Sequence, residues 1–80
     1  VAAATASTVI LAANSARAGA TVFNDSTSTL YIKFGTTASS TSFTVKMGPA
    51  SYYELPFNYT GVLNGIWTGT DGAARITEIT

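Results

Sequence analysis

Apolar side chains recur at every second position in short runs, and each run is broken by Gly, Asn, Asp or Pro. Leu30, Ile32 and Phe34 alternate with Tyr31 and Lys33. Phe43, Val45 and Met47 alternate with Thr44 and Lys46, and Gly48-Pro49 follows. A period of two places alternate side chains on opposite faces of an extended strand. Each of these runs is therefore read as a half-buried strand with the apolar set toward a core. Tyr53, Leu55 and Phe57 form the next inward set, with Tyr52 and Glu54 opposite. Pro56 has no N–H for a ladder, so this segment is an edge strand or the end of one. Val9–Ala13 and Thr21–Asn24 are two further candidate strands.

The punctuation fits the same class. Asn24-Asp25-Ser26 reads as a turn, because Asn and Asp bond their own backbone. Gly35 to Ser40 is a Gly/Thr/Ser loop. Asn64-Gly65 lies between Val62-Leu63 and Ile66-Trp67, which predicts a two-residue hairpin. Asp71-Gly72 repeats the device before Ala73–Ile79. Six or seven short strands and no helix are expected. The fold class is all-β, a compact antiparallel sandwich or small barrel. Residues 13–80 form one β-domain, and residues 1–12 an N-terminal arm or first strand.

Residues 1–8 are small and carry no motif. Two readings stand: a frayed terminus, or an extended arm that orders on a neighbouring subunit. The opening Val fits either removal of an initiator Met or processing upstream. The run Val9-Ile10-Leu11 is too short for a signal-peptide core. No stretch approaches the roughly 18 apolar residues of a membrane-spanning helix, so no membrane partner is expected.

Composition narrows function. The chain has no Cys and no His. That excludes a disulfide framework, a Cys/His zinc site, a Ser-His-Asp triad and a Cys nucleophile. Four Lys/Arg balance four Asp/Glu. Without a basic excess, nucleic acid is not an expected partner. At 80 residues there is room for one domain. A core this small seldom supplies more than about 3–5 kcal/mol. With no disulfide or metal to add to it, burial between subunits is the expected device. The 22 Ser and Thr far outnumber the 8 charged residues. Such a surface packs against protein without desolvating charge.

Catalytic constellations are sparse. Ser42 and Lys46 share a strand face but stand roughly 13 Å apart, too far for proton transfer. The four acids, Asp25, Glu54, Asp71 and Glu78, include two in turn contexts, where Asp is ordinary. No Gly-rich loop carries the lysine of a phosphate cradle. No enzyme and no cofactor is expected. The triplets Asn24-Asp25-Ser26 and Asn58-Tyr59-Thr60 match a glycosylation pattern that arises by chance in Ser/Thr-rich chains. The aromatic residues have two readings. In one, Tyr53, Phe57 and Trp67 fill the core while Tyr31, Tyr52 or Tyr59 packs across a subunit interface. In the other, the Tyr/Trp cluster is a sugar-stacking platform with Asn58, Asn64 or Asp71 as polar partner.

Larger blocks carry a resemblance. They are Leu11-Ala-Ala-Asn14-Ser-Ala-Arg17-Ala-Gly19, Asn24-Asp25-Ser26 with Leu30-Tyr31, and Gly35-Thr36-Thr37-Ala38-Ser39. The long segment Gly48-Pro49-Ala50-Ser51-Tyr52-Tyr53-Glu54-Leu55-Pro56-Phe57-Asn58-Tyr59-Thr60-Gly61 and Gly65-Ile66-Trp67 complete them. Across residues 9–79 the chain resembles small virion structural proteins of tailed bacteriophages. The resemblance implies a capsid cement or decoration protein on the outer shell of the virion, a homotrimer whose partner is the major capsid protein. A tail, collar or fibre component and a small carbohydrate-binding β-module are the alternatives. It transfers no active-site residue. From outward phase or flexibility, the expected interface residues are Val9, Leu11, Tyr31, Lys33, Tyr52 and Tyr59. Arg17 is expected to pair with a capsid carboxylate.

Overall fold

A computed structural model describes residues 1–80 as seven strands with no helix. They are β1 (Thr8–Leu11), β2 (Gly19–Asp25), β3 (Leu30–Phe34), β4 (Val45–Met47), β5 (Tyr52–Glu54), β6 (Leu63–Trp67) and β7 (Ala73–Ile79). Two antiparallel sheets result, with orders β1-β6-β3-β4 and β5-β2-β7. The all-β sandwich expected from the alternation is the observed fold, and β5 is an edge strand, as Pro56 requires.

The core lies between the sheets. Leu30 and Ile32 of β3, Leu63 and Trp67 of β6 and Met47 of β4 come from one side. Ala20 and Val22 of β2 and Ala74 of β7 come from the other. Burial of apolar side chains at alternate positions holds the two layers together, worth about 1.5–3 kcal/mol for each large residue. Fully buried Asn24 sits in this row too. It belongs to the end of β2, so the expected turn begins later, at Ser26.

Asn64-Gly65 is not a hairpin turn. Both residues lie in the middle of β6, paired with β1 on one side and β3 on the other. A glycine is present because the backbone is closely approached. A Cβ on Gly65 would stand 3.0 Å from Leu30 Cδ1 and 3.2 Å from Ile10 Cγ2. Gly65→Ala is therefore expected to destabilise the fold by about 1–3 kcal/mol through overpacking. A urea titration checks this, and an unchanged midpoint would refute it. The bulge between Val9 and Leu11 delivers Ile10 to that spot.

Asp71-Gly72 does turn the chain, but it joins two sheets rather than a hairpin pair. Gly72 has φ 75°, and a Cβ there would lie 2.2 Å from the Asp25 carbonyl oxygen. Only glycine meets both conditions. The Asp71 carboxylate accepts hydrogen bonds from the Thr27 N–H (2.8 Å), the Thr27 hydroxyl and the Ser28 hydroxyl (2.8 Å). The Thr27 hydroxyl first, then its amide and the Ser28 hydroxyl, hold this carboxyl at about 2, below its ordinary 3.8. The unfolded chain takes up the proton at the higher value. This contribution to stability is therefore complete above 3.8 and is lost as pH falls toward 2. Urea midpoints measured through that window should drop, and Asp71→Asn should flatten the drop. An equal slope in the variant would show that Asp71 plays no such part.

The N-terminal segment is ordered along its own chain. Val1 and Ala74 exchange backbone hydrogen bonds of 3.0 and 2.8 Å, and the Ala3 N–H donates to Gly72 O. Ala4 O then accepts from Trp67 N–H at 2.8 Å. The segment thus crosses from β7 in one sheet to β6 in the other before β1 begins. Buried Ala3 and Ile10 join the core of their own chain.

Candidate interaction surface

The outer face of the four-stranded sheet is set by register. Lys46, Tyr31 and Ile66 lie side by side across β4, β3 and β6. Lys33, Asn64 and Val9 form the adjacent row across β3, β6 and β1. Val9, Tyr31 and Lys33, three of the expected interface residues, therefore share one face. Val9 is exposed. Tyr31 packs on Phe43 with ring centroids 4.9 Å apart, and Lys46 Nζ stands 5.9 Å from the Tyr31 ring. Phe43, expected in the core, lies outside β4 and covers Tyr31 on the surface instead. Lys33 Nζ donates to Ser42 Oγ at 2.8 Å. The serine that meets a lysine does so across the fold, on open surface.

The three-stranded sheet presents a second face. Phe23 of β2 stands opposite Tyr52 of β5 and opposite Arg75 of β7. Tyr52 is 59% exposed and Phe23 36%. Arg75 Nε donates to Asp25 Oδ2 at 3.1 Å, an exposed pair. Such a surface pair contributes little to stability. An aromatic-aromatic-guanidinium row is a composition favoured at the centre of protein interfaces. Phe23 and Arg75 were not among the expected residues. The signal was the phase of β2: once Ala20, Val22 and Asn24 point inward, Thr21 and Phe23 must point out.

Three expected interface residues turn inward. Leu11 is half-buried against the core. Tyr59 stacks on Phe34 at 4.5 Å and donates its hydroxyl to Val62 O at 2.6 Å. Arg17 has no exposed side-chain surface, and its Nε donates to Glu78 Oε2 at 2.7 Å. Its other nitrogens donate to the carbonyls of Ala12, Tyr59 and Gly61. The Arg17 hydrogen bond, with a smaller one from Asn14, holds the Glu78 carboxyl below its usual range against a partial desolvation penalty. The carboxylate partner of Arg17 is thus within its own chain. Charge neutralisation and the satisfied carbonyls explain why a cation is tolerated inside so small a domain.

Trp67 and Asn64, two members of the sugar-stacking reading, are withdrawn from the surface. Trp67 is buried, with its indole N–H donated to Asn24 Oδ1 at 3.2 Å. Asn64 is also buried, with its amide donated to Gly35 O at 2.7 Å and its oxygen accepting from Ser7. Phe57, expected in the core, is 81% exposed on the β5–β6 connection. Pro56 ends the strand alternation, so the phase that buries Leu55 does not carry on to Phe57. No cavity opens in the molecule, and no three His, Cys, Asp or Glu side chains converge. No protein-family model, no curated protein and no solved structure matches this chain.

Proposed function

We propose that this chain is a non-enzymatic structural protein of a virion, a capsid cement or decoration protein. It would bind the outer shell as an oligomer and bridge neighbouring major capsid subunits. The observation that supports this reading is the placing of exposed aromatic side chains on both outer faces of a sandwich. Exposed Phe23 and Tyr52 lie on one face, and exposed Phe43 over half-buried Tyr31 on the other. A bridging protein needs two contact faces, and the sandwich offers an aromatic patch on each. The virion location rests on the sequence resemblance. A protein that binds only the assembled shell stabilises it by mass action, and a lattice of copies multiplies weak contacts.

The reading is tested by adding purified protein to shells stripped of it and measuring bound copies. The double variant Phe23→Ala, Tyr52→Ala should lose most binding while keeping its fold, because both side chains face solvent. Full occupancy by that variant would remove this face from the contact. Binding confined to tails would favour the tail, collar or fibre reading.

A further inference from the structure

The four sheet edges are unequal. β1 carries a bulge, β4 has three residues and runs into Gly48-Pro49, and β5 has three residues and runs into Pro56. Short length, bulges and proline are the devices that keep edges from pairing with other chains. β7 has none of them. It is seven residues long, pairs with β2 without a register shift, and contains neither Pro nor Lys.

Val1 occupies the start of this edge by exchanging both backbone hydrogen bonds with Ala74. Ala74 therefore turns its N–H and C=O away from β2, and by alternation so do Ile76 and Glu78. β7 has no other partner strand, and no loop backbone bonds to Ile76 or Glu78. Two donors and two acceptors are left in a row.

We propose that this edge pairs with the same edge of a second copy, antiparallel, about a two-fold axis at Thr77. Ile76 of each chain then exchanges both backbone bonds with Glu78 of the other. The sheets join into one of six strands. The register follows from two observations. An axis at Ile76 would set Glu78 against Ala74, which Val1 already holds. An axis at Glu78 would set two glutamates directly opposite, a destabilising like-charge pair. With the axis at Thr77, threonine faces threonine and Arg75 lies against Ile79. Ile79 is 55% exposed in the single chain. A two-fold contact of this kind is self-complementary and closed. It depends on the edge alone and not on the virion reading.

Sedimentation of the whole chain from roughly 10 μM to 1 mM tests it, a range suited to small interfaces. The mass should rise from 8.2 kDa toward twice that value. Amide exchange at Ile76 and Glu78 should slow in step. Thr77→Lys places like charges opposite one another only in the pair, and should weaken it by roughly fivefold. Thr77→Glu alone should do the same, and a mixture of the two variants should restore association. A chain that stays single with both amides exchanging freely would overturn the proposal. So would a trimer, or association that Thr77→Lys leaves unchanged.

Discussion

Asn24→Ala is expected to leave most of the protein unfolded at room temperature. The side chain has no exposed surface, and all of its hydrogen-bonding capacity is used. Its amide nitrogen donates to the carbonyls of Ser28 (2.8 Å), Met47 (3.3 Å) and Gly48 (3.0 Å). Its oxygen accepts from the Ser26 hydroxyl and from the Trp67 indole N–H. One residue thus joins the end of β2, the β2–β3 turn, the end of β4 and β6. Alanine leaves the indole N–H unpaired in the core and removes a donor from three carbonyls. Each buried group left unsatisfied costs about 1–3 kcal/mol, so a total of about 3–5 kcal/mol is expected. A domain this small holds about the same amount from its core. Asn24→Asp should be no better, because it turns a charge toward three carbonyl oxygens. Ser26→Ala, which removes one hydroxyl, should cost only about 1 kcal/mol. Trp67 is the single tryptophan and reports each transition by fluorescence. Cooperative unfolding of Asn24→Ala at the native urea midpoint would contradict this role.

Arg17→Met should cost nearly as much, about 3–5 kcal/mol, for a different reason. Arg17 ties the β1–β2 connection to the β5–β6 connection and to the end of β7. Its removal leaves Glu78 without its cation and three carbonyls without their donor. Arg17→Lys keeps the charge but cannot fork to four partners, so it should recover only part of the loss. Glu78→Gln should be milder than Arg17→Met, since Gln still accepts from the guanidinium at a partly exposed position. Equal midpoints for Arg17→Met and the native protein would show that the clip is dispensable.

These two residues also show what a single sequence hides. Alternation in β3 and the phase of Tyr52, Tyr53 and Glu54 were legible because period two is a property of neighbouring residues. Asn24, Asn64 and Arg17 were misplaced because their burial depends on partners far along the chain. Asn-Gly is a turn signal only when glycine is chosen for positive φ. At Gly65 it is chosen for the approach of Ile10 and Leu30. Phe57 followed the strand phase on paper, yet the strand had already ended at Glu54. Likewise, residues 1–4 carry no pattern of their own, because their order comes from backbone bonds that any sequence of small residues can make. Of the expected contact residues, Val9, Tyr31, Lys33 and Tyr52 lie on outer sheet faces, whereas Leu11, Arg17 and Tyr59 pack against their own chain.

The measurement that bears most directly on the proposed role is cryo-electron microscopy of intact particles. The expected result is density for two packed three- and four-stranded sheets on the outer head surface, spanning neighbouring major capsid subunits, with an outer sheet face in contact. Particles whose heads carry no such density, whether the protein lies only at the tail or is absent altogether, would contradict the cement role.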